Sequence, residues 1–106
     1  MKPTREDILN IFQKSVLEIQ NSVDFIKLWT QLVSVRARIE ETIGVIRLEM
    51  DKRRGLYLQE NRQLSDTKLE AVLTAEDLTY SKLKQDLVEL ESLRVLVTSL
   101  LEGLRL

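Results

Sequence analysis

The sequence predicts an all-α protein: a long antiparallel helical hairpin or coiled coil, with a short N-terminal helix and a short helix before the last one. Three observations carry that prediction. First, Trp29, Leu32, Arg36, Ile39, Ile43, Ile46, Met50, Arg53 and Tyr57 recur in alternating steps of three and four, and seven of these nine are apolar. Such a heptad rhythm is the signature of a long helix lying along another helix. Second, the 106 residues include one Pro and three Gly, with 43% hydrophobic and 31% charged side chains. That is the composition of long helices with solvated faces, because few residues would break them. Third, Tyr80, Leu83, Leu87, Leu90, Arg94, Val97, Leu101 and Leu104 repeat the same rhythm near the C-terminus.

The elements follow in order within a single domain, residues 1–106. Thr4-Arg5-Glu6-Asp7 supplies an N-cap with a carboxylate three residues on, which satisfies the free amides of a first turn. Ile8, Ile11, Phe12, Val16 and Ile19 then keep helical spacing, so the first helix is expected to run to about Gln20. Asn21-Ser22 is a weak break, with Ser22 placed to cap the second helix; a continuous helix is the competing expectation. The second helix covers about Val23 to Tyr57, ~50 Å at 1.5 Å per residue. A further row, Leu28, Val35, Val45 and Leu48, widens its apolar stripe, which suggests neighbours on more than one side. Gly44 is expected to admit a close backbone crossing, and Gly55 to mark where the rod loosens. Gln59 to Asp66 reads as the main loop. Thr67-Lys68-Leu69-Glu70 is a capping box that opens a short helix, and Thr74-Ala75-Glu76-Asp77 is a second cap signal. Together they imply a short helix, a corner, and a long final helix.

That final helix also carries Leu93, Val95, Leu96 and Leu100, which makes its end apolar nearly all round. One partner from the same chain cannot cover such a helix, so a homo-oligomer is expected, with Leu93, Leu96, Val97, Leu100, Leu101 and Leu104 at its interface.

Chemistry is constrained by what is missing. There is no Cys and no His. This removes thiol nucleophiles, disulfides and the most frequent general base and metal ligand. No Gly-rich phosphate loop or metal-ligand cluster is present, so no enzyme activity and no cofactor or metal is expected. The acidic group Asp86, Glu89 and Glu91 reads as ordinary surface pairing with Lys82 and Lys84. Neither a secretory signal nor a membrane-spanning run is visible, and a cytoplasmic protein is expected.

Net charge is −1, but residues 1–59 carry ten basic and eight acidic side chains, against six and nine in residues 60–106. The basic run Lys52-Arg53-Arg54, with Arg47 upstream and Tyr57 beyond, combines cations and an aromatic ring. Single-stranded nucleic-acid sites pair these elements, cations tracking phosphates and rings stacking on bases. The competing reading is a solvated charged turn in which Tyr57 merely ends the apolar seam. Arg36 and Arg38 form a smaller basic pair read as structural, and Trp29 is read as a core residue.

A Trp in a long helix, a basic cluster near its end, a polar loop, the stretch Lys68-Leu69-Glu70-Ala71-Val72-Leu73-Thr74-Ala75-Glu76-Asp77 and a Leu-rich final helix occur in that order. From Phe25 to Leu106 this resembles the UvsY-type recombination mediators of tailed phages. The resemblance implies a ring-like homo-oligomer that binds single-stranded DNA and helps load a RecA-like recombinase onto strands coated by a single-strand-binding protein, in the cytoplasm of a bacterial host. It also implies that Lys52, Arg53 and Arg54 occupy the family's DNA-contacting patch. Family members carry a further tail after the last helix, whereas this sequence ends at Leu106. The alternative expectation is a structural coiled-coil adaptor or small helical chaperone that does not bind DNA.

Overall fold

The computed structural model describes residues 4–19, 21–60 and 64–104. Four helices follow one another: α1 (Arg5–Glu18), α2 (Ser22–Glu60), α3 (Asp66–Glu76) and α4 (Leu78–Gly103). The class is the expected one, all-α and of helical-hairpin type, with a short helix first and another between the two long ones. No strand occurs among the described residues.

Each helix boundary has a local cause. At α1 the expected box forms: Thr4 Oγ1 accepts from the Asp7 amide at 3.2 Å, and the Asp7 carboxylate accepts from the Thr4 amide at 3.3 Å. The helix ends at Ile19, whose backbone is extended; Gln20, the expected last residue, lies outside the described residues. The break between the first two helices is real, but its cap is Asn21 rather than Ser22. Asn21 Oδ1 accepts from the amides of Val23 at 2.9 Å and Asp24 at 3.0 Å, which leaves Ser22 as the first helical residue. The α3 cap is likewise displaced. Ser65 Oγ accepts from the Lys68 amide at 3.4 Å, and Thr67 lies inside the helix. The Thr67–Glu70 box does not close because Glu70 turns to partners on other helices. Thr74 is no cap either, since its hydroxyl donates to the Glu70 carbonyl one turn back. Asp77 makes the corner alone: its amide donates to the Leu73 carbonyl at 2.9 Å, and its carboxylate accepts from the Tyr80 amide at 3.0 Å. One aspartate thus closes α3 and opens α4.

The chain divides into two compact units. In the first, Met1–Thr42 with Leu90–Leu106, the core is Ile8 of α1, Leu28, Leu32, Val35 and Ile39 of α2, and Leu90, Leu93, Val97 and Leu101 of α4. In the second, Ile43–Glu89, the core is Ile43, Ile46 and Met50 of α2, Leu69 and Leu73 of α3, and Tyr80 of α4. The steps of three and four place these residues on one face of each helix, and their burial holds each unit together. No polar or charged residue is fully buried among the described residues.

Two expectations about α2 are corrected by the structure. Val45 and Leu48 do not extend the buried stripe; they are 63% and 59% exposed, on the side away from the core. Gly44 and Gly55 neither admit a crossing helix nor loosen the rod, for α2 continues through both and a Cβ on either would meet nothing within 4 Å. Each therefore only weakens the helix. Gly44→Ala and Gly55→Ala are each expected to stabilise the chain by about 0.5–1 kcal/mol, read as a higher urea midpoint.

Candidate nucleic-acid interface

The last turns of α2 bring Arg47, Lys52, Arg53, Arg54 and Tyr57 into the second unit, and the helix fixes where each points. At 100° per residue, Arg53 and Tyr57 follow the buried row of Ile46 and Met50, whereas Lys52 falls on the solvent side. Arg47 and Lys52 are exposed; Arg53, Arg54 and Tyr57 are half-buried.

Partial burial obliges the two arginines to find partners, and α3 and the start of α4 provide them. Arg53 Nη1 donates to Asp77 Oδ2 at 2.9 Å. Its Nε lies 3.4 Å from Glu49 Oε1 one turn back, close enough for charge attraction but not aligned for a hydrogen bond. Arg54 reaches two groups at once. Its Nε donates to the Tyr80 hydroxyl at 2.8 Å and its Nη2 to Glu70 Oε2. Tyr80 in turn donates its hydroxyl proton to Glu70 Oε2, and Lys84 Nζ sits 3.0 Å from Glu70 Oε1. The Arg54 guanidinium carbon also lies 5.8 Å from the Tyr80 ring centroid, within reach of a cation–π attraction. Glu70 is therefore the hub at which α2, α3 and α4 meet.

The electrostatics follow from that geometry. Burial pushes the Glu70 carboxyl up, but hydrogen bonds from Tyr80, Lys84 and Arg54 outweigh it and hold the pKa down at about 2. Asp77 is lowered as well, first by the Tyr80 amide and then, against some burial, by Arg53. Tyr80 is raised, chiefly by burial and by its bond to Glu70. Both carboxylates are thus more acidic in the fold than in the unfolded chain. Their pairing stabilises the fold above the ordinary carboxylate pKa, and that stability is lost as pH falls from there toward 2. Wild-type protein is accordingly expected to lose more urea resistance between about pH 6 and pH 3 than Glu70→Gln, which has one of the two carboxylates removed. Equal losses would show that Glu70 is not a stabilising hub.

The placement of the expected site residues is therefore divided. The cations and Tyr57 share three turns of α2, as the spacing implied, but Arg53 and Arg54 are also structural groups of this unit. Pattern reading missed Glu70, Asp77, Tyr80 and Lys84, having taken the first two for caps and a corner. The signal that could have found them was the seven-residue interval between Glu70 and Asp77, which puts two carboxylates near one line along the chain opposite an Arg-Arg pair. Of the residues expected at an oligomer interface, Leu93, Val97 and Leu101 are covered by the chain's own helices, and Leu96, Leu100 and Leu104 are half-buried. Val95, on the same helix, is 64% exposed.

An open hollow on α4 is lined by Leu78, Thr79, Lys82, Leu83 and Asp86. Among the described residues no group of three or more carboxylates is placed to hold a metal ion, and no helix is long and apolar enough to cross a membrane.

Fold and site together define a class: a small all-α protein in which a cation-rich helix segment is braced by one carboxylate of the helix that follows it, Glu70, and by one at the corner beyond, Asp77. Comparison with protein-family models, with curated sequences and with solved structures gave no match.

Proposed function

We propose that this chain is an oligomeric single-stranded DNA-binding accessory protein of recombination, which helps load a RecA-like recombinase onto strands coated by a single-strand-binding protein. The observation that supports this reading is the gathering of Arg47, Lys52, Arg53, Arg54 and Tyr57 on three turns of α2, with both arginines held by Asp77, Glu70 and Tyr80. Braced cations are ordered before a phosphate arrives, so less entropy is lost on contact. Much of their surface remains open: the Arg54 side chain is 41% exposed and Arg53 31%. Function is by binding alone, and no side chain does chemistry. Each protomer contributes one weak patch, and several patches on one assembly act together through effective concentration. Under this reading the protein works in the cytoplasm of a bacterial host, and the order of motifs it shares with UvsY-type mediators supports the same conclusion.

A second reading, a coiled-coil adaptor or small helical chaperone without DNA binding, is favoured by one specific observation. Val45, Leu48 and Leu56 expose large apolar side chains on α2, which suits capture of another helix. Titration of labelled oligo-dT at two salt concentrations, with solution mass measured by light scattering, separates the two. The mediator reading expects binding whose log K falls with log salt by about 0.7 per phosphate neutralised. Self-association with salt-independent or absent DNA binding would support the adaptor instead.

A further inference from the structure

Three donors from two helices converge on one carboxylate in the second unit. The Arg54 guanidinium of α2 and the Tyr80 hydroxyl of α4 both donate to Glu70 Oε2, and Lys84 Nζ lies 3.0 Å from Glu70 Oε1. Tyr80 and Lys84 stand one turn apart on the same face of α4. Arg54 is fixed against them by the bond from its Nε to the Tyr80 hydroxyl at 2.8 Å. Two cations thus share one anion: Arg54 and Lys84 together carry one positive charge more than Glu70 cancels. The cluster is also open to water, for the side chains of Arg54 and Lys84 are 41% and 43% exposed and that of Glu70 is 27% exposed. Burial works against the Glu70 charge, while the three donors hold it ionised. The contact that orders Arg54 therefore also occupies it.

We infer that Arg54, Tyr80 and Lys84 form a seat for a phosphate group, which Glu70 fills as the chain's own anion until a phosphate displaces it. The donor set fits that ligand. A guanidinium fork, a hydroxyl and an ammonium are groups that hold phosphate oxygens, and here all three already point at one pair of oxygens. A phosphodiester equals the carboxylate in charge, and a phosphate monoester carries about −1.5 to −2 near neutral pH, which matches two cations better than one carboxylate does. The exchange needs no opening of the core. Glu70 turns its side chain into solvent that it already touches, with the α3 backbone in place, and the entering phosphate oxygens take over its hydrogen bonds. Where the phosphate belongs to a strand, the inference rests on the DNA-binding reading above. It then adds Lys84 to the contacts on α2 and makes Glu70 the group that regulates them, since a strand must outcompete it.

The seat is tested first without DNA. Urea midpoints of Glu70→Ala and wild type are compared in sodium phosphate and in sodium chloride of equal ionic strength. Phosphate stabilises any fold to some degree by exclusion from its surface, so the wild type sets the baseline. Glu70→Ala, whose seat lacks its anion, is expected to gain more from phosphate than the wild type does. Glu70→Gln is read the same way should the alanine variant not fold. Equal gains would overturn the seat. Titration of oligo-dT at low salt then decides the source of the phosphate. If a strand phosphate takes the seat, Glu70→Gln binds about tenfold more tightly than wild type, the worth of one or two charge-assisted hydrogen bonds. Adding Lys84→Gln removes that gain. Glu49→Gln takes an equal charge from beside Arg53, and the same gain from it would overturn displacement of Glu70 by a strand. Stabilisation by phosphate with no gain for oligo-dT assigns the seat to free phosphate or a small phosphate ester. If no chain binds oligo-dT, the DNA-binding reading fails, and the urea comparison alone decides the seat.

Discussion

Tyr80→Ala is expected to destabilise the second unit by about 3–5 kcal/mol, the range for removing a fully buried aromatic ring. The ring is 0% exposed among Ile43, Ile46, Met50, Leu69 and Leu73, the other core residues of that unit. Its hydroxyl accepts from Arg54 and donates to Glu70. Truncation therefore opens a cavity and also leaves a guanidinium and a carboxylate short of one partner each. Small domains have a net stability of only about 5–15 kcal/mol, so this single change should bring the chain close to half unfolded in modest urea. Tyr80→Phe separates the two contributions: it keeps the ring, removes the two hydrogen bonds, and is expected to cost about 1–2 kcal/mol. Urea denaturation followed by circular dichroism measures both. If the phenylalanine variant were as damaged as the alanine one, the hydroxyl and not the ring would hold the unit together. If the alanine variant were destabilised by less than about 1 kcal/mol, Tyr80 would not be a core residue in solution.

The reason this residue is only half legible from sequence applies to the whole chain. Periodicity reports which face of a helix is apolar, and it correctly places Leu32, Ile39, Ile43, Ile46 and Met50 in one buried row and Tyr80, Leu90, Val97 and Leu101 in another. It does not report how many apolar faces the chain itself can cover. Val45 and Leu48 resemble Leu28 and Val35 in sequence, yet the first pair is exposed and the second buried. At 100° per residue Leu28 and Val35 fall within about 60° of the buried row of α2, whereas Val45 and Leu48 fall on its solvent side.

Helix ends are legible in kind and displaced by one to three residues. At Asn21-Ser22 and at Ser65-Asp66-Thr67 two or more capping residues stand side by side, and propensity cannot choose between them. At Thr74–Asp77 a tertiary bond makes the choice, since Asp77 also holds Arg53. The same limit governs the candidate site. Lys52, Arg53, Arg54 and Tyr57 are visible as a local run, but the partners of the two arginines, Glu70, Asp77 and Tyr80, lie 16 to 26 residues further along the chain. Ion pairs over such separations exist only once the helices have docked. That the arginines serve the fold before they can serve a ligand is not written in the run itself.

That double duty decides how DNA binding must be tested. Changing Lys52, Arg53 and Arg54 together to alanine is expected to abolish oligo-dT binding. It also removes the pairs with Asp77 and Glu70 and leaves Lys84 as the nearest cation to Glu70. With side chains between a quarter and a half exposed, those pairs are worth about 1 kcal/mol each at most. Loss of binding in the triple variant would thus be confounded by a loosened corner. Arg47→Ala with Lys52→Ala avoids this, because both residues are exposed and neither holds α3 or α4 through the Glu70 hub. The double variant is expected to keep its stability in urea within about 0.5 kcal/mol of wild type. Its affinity for oligo-dT at low salt should fall at least tenfold, and the slope of log K against log salt should shrink by about 0.7 for each phosphate that is no longer neutralised. The mass of the assembly, measured in parallel, must stay unchanged for the weaker binding to be assigned to DNA-facing cations, since avidity falls whenever protomers dissociate. If the double variant binds as tightly and as salt-sensitively as wild type while the triple variant does not, the cations at the end of α2 act through the fold alone, and the phosphate-binding role must be sought on another surface.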